Sequence, residues 1–308
     1  MTRVLVTGAS GLIGKHAVAA LVAHGYEVHG GARTPPVMSP PGVIWHSCDL
    51  LSDGAPEKLA AEVRATHLLH LAWVTEHGQF WAAEQNRDWQ AASQRLIEAF
   101  RENDGQRVVM AGSCAEYDWN RLGDGVCREN ETPLKPHTLY GQCKLEFSRW
   151  LETFAAQTGL SQAWGRVFLL YGTGENENRL VPSIILALNA GREAKCSSGV
   201  QVRDFMAARD VGWGFSALLM SSVEGPVNVA SGEPHTIAEV AGALGEFSGH
   251  PELVRMGAFP DRSDDPPVLV ADATRLRTEV GFAPVLGFRD ALKQAYDQIR
   301  QGTDCSTN

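Results

Sequence analysis

Short apolar runs alternate along the chain with stretches in which apolar residues recur three and four apart. Residues 4–7 read as a strand, and residues 12–22 follow with helical spacing, stopped by Gly25. Residues 26–30, 43–48, 66–72, 107–111 and 162–170 carry the strand signature, while helical patterns at 91–101 and 139–156 separate the later ones. This alternation predicts the α/β class: a doubly wound parallel sheet built from βαβ units. Beyond Tyr171 the pattern changes. A polar turn cluster at 172–178 precedes an apolar helix pattern at 181–188; residues 226–230 resemble one more sheet strand, 237–247 a helix and 256–267 a proline-rich connection. A smaller C-terminal region is therefore expected.

The composition is that of an ordinary globular protein: 308 residues, 44% hydrophobic, 20% charged, with 31 Gly and 15 Pro. A net charge of −9 repels a phosphate backbone, so nucleic acid is not an expected partner. The six cysteines form no C-x-x-C pair, and no His stands at zinc-ligand spacing, which predicts a reduced, cytoplasmic protein without a metal. Met1 leads directly into the first strand, without the basic and apolar stretches of a secretion signal, and no apolar run reaches the ~20 residues that span a bilayer. Neither secretion nor membrane insertion is expected.

Candidate chemistry begins at Gly8, Ser10, Gly11, Leu12, Ile13 and Gly14, between the first strand and the first helix. In that context the glycines let a pyrophosphate approach backbone N–H groups at a helix N-terminus, which makes the sheet Rossmann-like. The second strand ends in Gly30, Gly31, Ala32 and Arg33 with no acid to bind ribose hydroxyls; Arg33 can instead pair with a 2′-phosphate, favouring NADP(H) over NAD(H). Asp49, after the third strand, is either an acceptor for the adenine amino group or a turn residue. Tyr140 and Lys144 share one face at the start of a helix, where a nearby ammonium would lower the phenol pKa from its ordinary ~10 toward a useful acid–base range. Ser113, at the end of the fifth strand, would reach the same crevice.

These residues, with His70, Leu71 and Ala72, the Tyr171-Gly172 pair, the Val202–Phe205 block with Asp210 and the Asn228–Gly232 segment, resemble the extended short-chain dehydrogenase/reductases over nearly the whole chain. That NAD(P)-dependent epimerase/dehydratase group acts mostly on nucleotide sugars. The resemblance implies that Ser113 hydrogen-bonds the substrate oxygen, Tyr140 exchanges its proton, and Lys144 binds the nicotinamide ribose. It places Leu50, Leu71, Ala72 and Val167 beside the cofactor, Arg203 and Arg262 on the substrate diphosphate, and Arg179 and Leu180 near the nucleotide. It also implies an NADP-binding domain over 1–171, joined by 202–232, with a smaller substrate-binding domain from 172–201 and 233–308. A homodimer is expected through the helices around 91–101 and 139–156, whose apolar positions Leu96, Ile97, Phe100, Phe147, Leu151 and Phe154 exceed what one sheet face needs.

Departures from the family pattern narrow the reaction. Cys114 and Ala115 stand where dehydratases carry an Asp-Glu pair, and Glu116, one place on, would point to the opposite side of an extended segment. Ala115 and Gly174 also replace the Cys and His of epimerase/reductases resembling GDP-fucose synthase. The leading expectation is NADPH-dependent reduction of a nucleotide-linked 4-keto-6-deoxyhexose. A 4-epimerase with tightly held NAD, a small-molecule carbonyl reductase and a cofactor-binding regulator without turnover remain alternatives. Trp73, Phe80, Trp81 and Trp89 read as packing aromatics rather than stacking platforms, and His67 and His70 as satisfied core histidines.

Overall fold

The computed structural model describes residues 2–37, 41–261 and 265–304. Strands β1 (Arg3–Thr7), β2 (Glu27–Ala32), β3 (Val43–Ser47), β4 (His67–His70) and β5 (Arg107–Ser113) join the strands Ser161–Val167 and Gly225–Val229 in a seven-stranded sheet. Every pairing within it is parallel, and the order, from β3, is β3-β2-β1-β4-β5, then Ser161–Val167 and Gly225–Val229. The order reverses direction beside β1, and there open α/β sheets form their ligand crevice.

Both faces of this sheet are covered, which is why its central strands are apolar without alternation. Helices α2 (Ala55–Val63), α3 (Gln85–Glu102) and α4 (Leu139–Thr158) bury one face, with Leu96, Ile97, Phe100, Phe147 and Leu151 packed among Leu68, Val108 and Trp164. Helix α1 (Gly14–Ala23) and the helix Ala208–Met220 cover the other, around Val18, Leu21, Leu69, Val109 and Phe215. The apolar surplus expected for a dimer is thus largely spent inside the chain: five of the six positions named for it are at most 1% exposed. Only Phe154, stacked on Trp150 at 5.1 Å between ring centres, stays partly open.

Residues 162–170, expected as one strand, divide at Phe168: Ser161–Val167 belongs to the large sheet and Leu169–Tyr171 pairs instead with Val202–Ala207. The Val202–Ala207 strand lies in a second, mixed sheet with Pro234–Thr236, Val268–Ala271 and Val126–Cys127. The helix Ala208–Met220 that follows it packs on the large sheet. A third apolar cluster joins the helices Leu180–Asn189 and Ile237–Ser248 to the C-terminal helix starting at Phe288. Among the described residues no helix is long and apolar enough to cross a membrane, and no group of three or more His, Cys, Asp or Glu is placed to hold a metal ion.

Candidate active site

The turn from β1 into α1 passes against the end of β4. Gly8 has φ +65°, and a Cβ there would stand 2.7 Å from the Ala72 nitrogen, so the approach requires glycine on both counts. Helix α1 opens with no side-chain cap at Ile13 and no acidic residue in its first turn, so nothing negative competes with an anion at its N-terminus. Over this turn lies a cleft of about 190 Å³, lined by Gly8, Ser10 and Gly11, by Gly31 of β2 and Arg33 just past its end, and by Leu50 and Ala72. Arg33 is exposed and pairs with no carboxylate among the described residues. An uncapped helix start, a glycine cradle and a free guanidinium suit a dinucleotide carrying an additional phosphate.

The remaining expected cofactor residues do not line the cleft. Leu12, Ile13 and Gly14 form the turn itself; Leu71 backs Gly8, its N–H donating to the Thr7 carbonyl at 3.1 Å. Asp49 is exposed and accepts from the Leu51 N–H at 3.2 Å, a turn contact. Val167 sits in register with Ser113 on the neighbouring strand. Trp73 and Trp89, read from sequence as packing residues, do line the cleft. The concentration of aromatics just past β4 was the available signal.

The proposed proton-transfer residues meet at the same edge of the sheet. Ser113 ends β5 and caps a short turn, Cys114–Glu116, with its Oγ accepting from the Ala115 N–H at 3.2 Å. Thr138 caps α4, accepting from the Gly141 N–H at 3.1 Å, which sets Tyr140 in the first turn. A Cβ at Gly141 would come within 2.5 Å of the Ala115 carbonyl oxygen, so glycine lets α4 start directly against the turn that carries Ser113. Phe80 and Trp81 meet the Tyr140 ring edge-on, with centres 5.0 and 5.7 Å away. Lys144, only 2% exposed, donates to the Ala111 carbonyl at 2.8 Å and lies 3.7 Å from the centre of the Trp73 ring. Trp73, itself tied to Asn86 by a 2.8 Å hydrogen bond, therefore connects the cleft to Lys144.

The electrostatics correct one expectation. The Tyr140 phenol is not brought below its ordinary value: burial pushes it up, while the Lys144 ammonium is 5.9 Å from the ring centre and donates to the Ala111 carbonyl. The Ser113 hydroxyl pulls the phenol back and Glu116 pushes it further up. Burial lowers Lys144 from 10.5 to about 7, against the opposing pull of Glu116. Burial thus favours the protonated phenol at Tyr140. His70 is, as expected, a satisfied core residue; it bonds Thr7 and, at 2.7 Å, Ser93, and burial lowers it to about 3.

A second correction concerns Glu116. The segment after Ser113 is a helical turn, not extended, and Glu116 is turned inward to pair with Arg166 at 2.7 Å. It fails as a substitute dehydratase acid because it is buried in an ion pair. Of the substrate residues, Arg179 has its guanidinium 5.8 Å from the Phe80 ring centre and exerts its charge on Tyr140, and Leu180 begins the next helix. Arg203 is 3% exposed, donates to the Val202 carbonyl at 2.8 Å and pairs with Asp265 at 2.6 Å. Arg262 lies outside the described residues. Glu175, beyond Gly174, was not singled out in the sequence; burial raises its carboxyl to about 7 despite Arg179 nearby.

A glycine turn into an uncapped helix, beside a Ser, Tyr and Lys at the sheet edge, defines a nucleotide-cofactor enzyme of the Rossmann class. The chain belongs to the NAD dependent epimerase/dehydratase family, whose model matches residues 4–230, and is of the extended short-chain dehydrogenase/reductase type. It is 27% identical to a dTDP-6-deoxy-L-talose 4-dehydrogenase (NAD(P)(+)) of Kitasatospora kifunensis, with 96% of this chain and 94% of that one covered. A UDP-glucose 4-epimerase of Corynebacterium glutamicum is 25% identical over 92% of this chain and 91% of its own. Among solved structures, the Thermus thermophilus UDP-glucose 4-epimerase in complex with NAD superposes with a TM-score of 0.84 at 26% identity, covering 97% of this chain and 99% of that one. The protein is an NAD(P)-dependent enzyme that modifies nucleotide sugars.

Proposed function

We propose that the enzyme reduces the 4-keto group of a nucleotide-diphosphate-4-keto-6-deoxyhexose with NADPH, giving a 6-deoxysugar. The observation that carries this reading is the site's proton inventory: one phenol held protonated beside Ser113, with Cys114 and Ala115 where a dehydration acid and base would stand. Gly8, Ser10, Gly11 and the start of α1 would hold the cofactor pyrophosphate, Arg33 its 2′-phosphate, and Lys144 its nicotinamide ribose. When bound, that cofactor supplies the hydride. Ser113, whose Oγ already accepts from Ala115, has its own hydroxyl hydrogen to donate to the substrate carbonyl, and Tyr140 gives its proton to the same oxygen.

The similarity to UDP-glucose 4-epimerases favours a second reading, 4-epimerisation with retained NAD. Two measurements separate them. A reductase should oxidise NADPH with one of the CDP-, dTDP-, GDP- or UDP-4-keto-6-deoxyhexoses and purify without cofactor; an epimerase should purify with NAD bound and interconvert UDP-sugars. In deuterated water with ordinary NADPH, the reductase should leave C3 and C5 free of solvent deuterium. Enzyme-dependent deuterium at either carbon would overturn simple 4-keto reduction.

A further inference from the structure

We propose that Glu116 is a positioning residue of the reaction: it grips Ser113 from behind, so fixing where the Ser113 hydroxyl is presented, and supplies the fixed negative charge in whose field Tyr140 and Lys144 operate. The inference rests on the assignment of Ser113 and Tyr140 given above.

Glu116 is 0% exposed, and its carboxylate accepts from donors on three residues. The Ser113 N–H donates to Oε1 at 2.8 Å, the Trp164 indole N–H is shared between both oxygens at 2.9 and 3.0 Å, and the Arg166 Nε–H donates to Oε2 at 2.7 Å. Such a ring of donors is satisfied only by the ionised acid, since a protonated carboxyl or an amide would turn a donor toward a donor. Arg166 is held in turn by the Tyr117 hydroxyl at 3.2 Å, and that hydroxyl donates to Asn228 at 2.8 Å. A buried ion pair costs desolvation that an apolar pair would avoid, so stability alone does not account for it.

Its position does. Ser113 has its N–H tied to Glu116 and its Oγ accepting from the Ala115 N–H, so its hydroxyl hydrogen remains to be donated, on the side where it acts on Tyr140. The same charge keeps the phenol of Tyr140 and the ammonium of Lys144 protonated to higher pH. The other groups acting on that pair are Cys114 and Arg179 on Tyr140, and Cys143 on Lys144, while His70 is held neutral.

The test measures NADPH binding and pH-dependent turnover, with dTDP-4-keto-6-deoxyhexose as the probe, for wild type, Tyr140→Phe, Glu116→Gln and the double variant Glu116→Gln/Arg166→Met. The double variant removes both charges, so no buried ion is left unpaired if the single variant folds poorly. Both Glu116 variants should lose about tenfold or more in kcat through misplacement of Ser113, keep NADPH affinity within about twofold, and show the high-pH fall of kcat beginning at lower pH. Wild-type kcat and pH profile in either folded variant would overturn the proposal. So would a parallel loss of kcat and NADPH binding, the mark of a merely structural residue. Full activity in Tyr140→Phe would instead remove the assignment beneath it.

Discussion

Lys144→Met should make the cofactor-free protein more stable while disabling it. The ammonium is 2% exposed, and its pKa is lowered from 10.5 to about 7, chiefly by burial. At about 1.4 kcal/mol for each pH unit, keeping the charge inside costs up to about 5 kcal/mol below pH 7. Methionine fills a similar volume, and the lost hydrogen bond to the Ala111 carbonyl offsets about 1 kcal/mol, so a net gain of about 2–4 kcal/mol is expected near neutral pH. The pH dependence follows from the proton count. Between pH 7 and 10.5 the unfolded lysine still holds its proton and the folded one has released it, so wild-type stability rises with pH across that window. The variant lacks this rise, and the two stabilities should converge toward pH 10.5. Urea unfolding followed by far-ultraviolet circular dichroism at several pH values from 6 to 10.5 measures both quantities. A difference that does not change with pH, or a variant less stable than wild type at pH 6.5, would refute the reasoning.

Tyr140→Phe should lower kcat by about 100-fold or more with NADPH binding nearly intact, as measured by NADPH fluorescence titration and turnover, because the phenol is the proton source. An unchanged rate would take Tyr140 out of the mechanism. Arg33→Ala should weaken NADPH binding by about 1.5–3 kcal/mol, roughly 10- to 150-fold, and leave NADH binding unchanged, since only the 2′-phosphate meets the guanidinium. Equal losses for both cofactors would contradict that pairing. If the chain is a homodimer through α3 and α4, Trp150 and Phe154 supply the apolar contact, and light scattering at micromolar concentration should give a dimer mass that Trp150→Ser reduces to a monomer mass.

Much of the large sheet was legible because its strands and amphipathic helices alternate in the sequence, and local periodicity suffices to find them. What was lost depended on partners far along the chain. Val167, Phe168 and Leu169 are all apolar, and Phe168 is only 6% exposed, so the residues at the junction itself do not mark where the chain leaves one sheet for the other. The strand Val202–Ala207 is placed in the second sheet by Pro234–Thr236 and Val268–Ala271, partners some thirty and sixty residues further along the chain.

The site divides along the same line. The spacing of Tyr140 and Lys144 predicts that their side chains leave one helix face together, and they do. It does not say where a flexible lysine ends, and here the ammonium goes to the Ala111 carbonyl and the Trp73 ring. Desolvation is the largest influence on each, raising the phenol and depressing the ammonium. Glu116 shows the converse: next to Ser113 in sequence it looks like a misplaced acid, and its meaning depends on Arg166, fifty residues away. The turn that carries it brings its carboxylate back to the Ser113 N–H, so the residue that could not serve as a dehydration acid becomes part of how the serine is held.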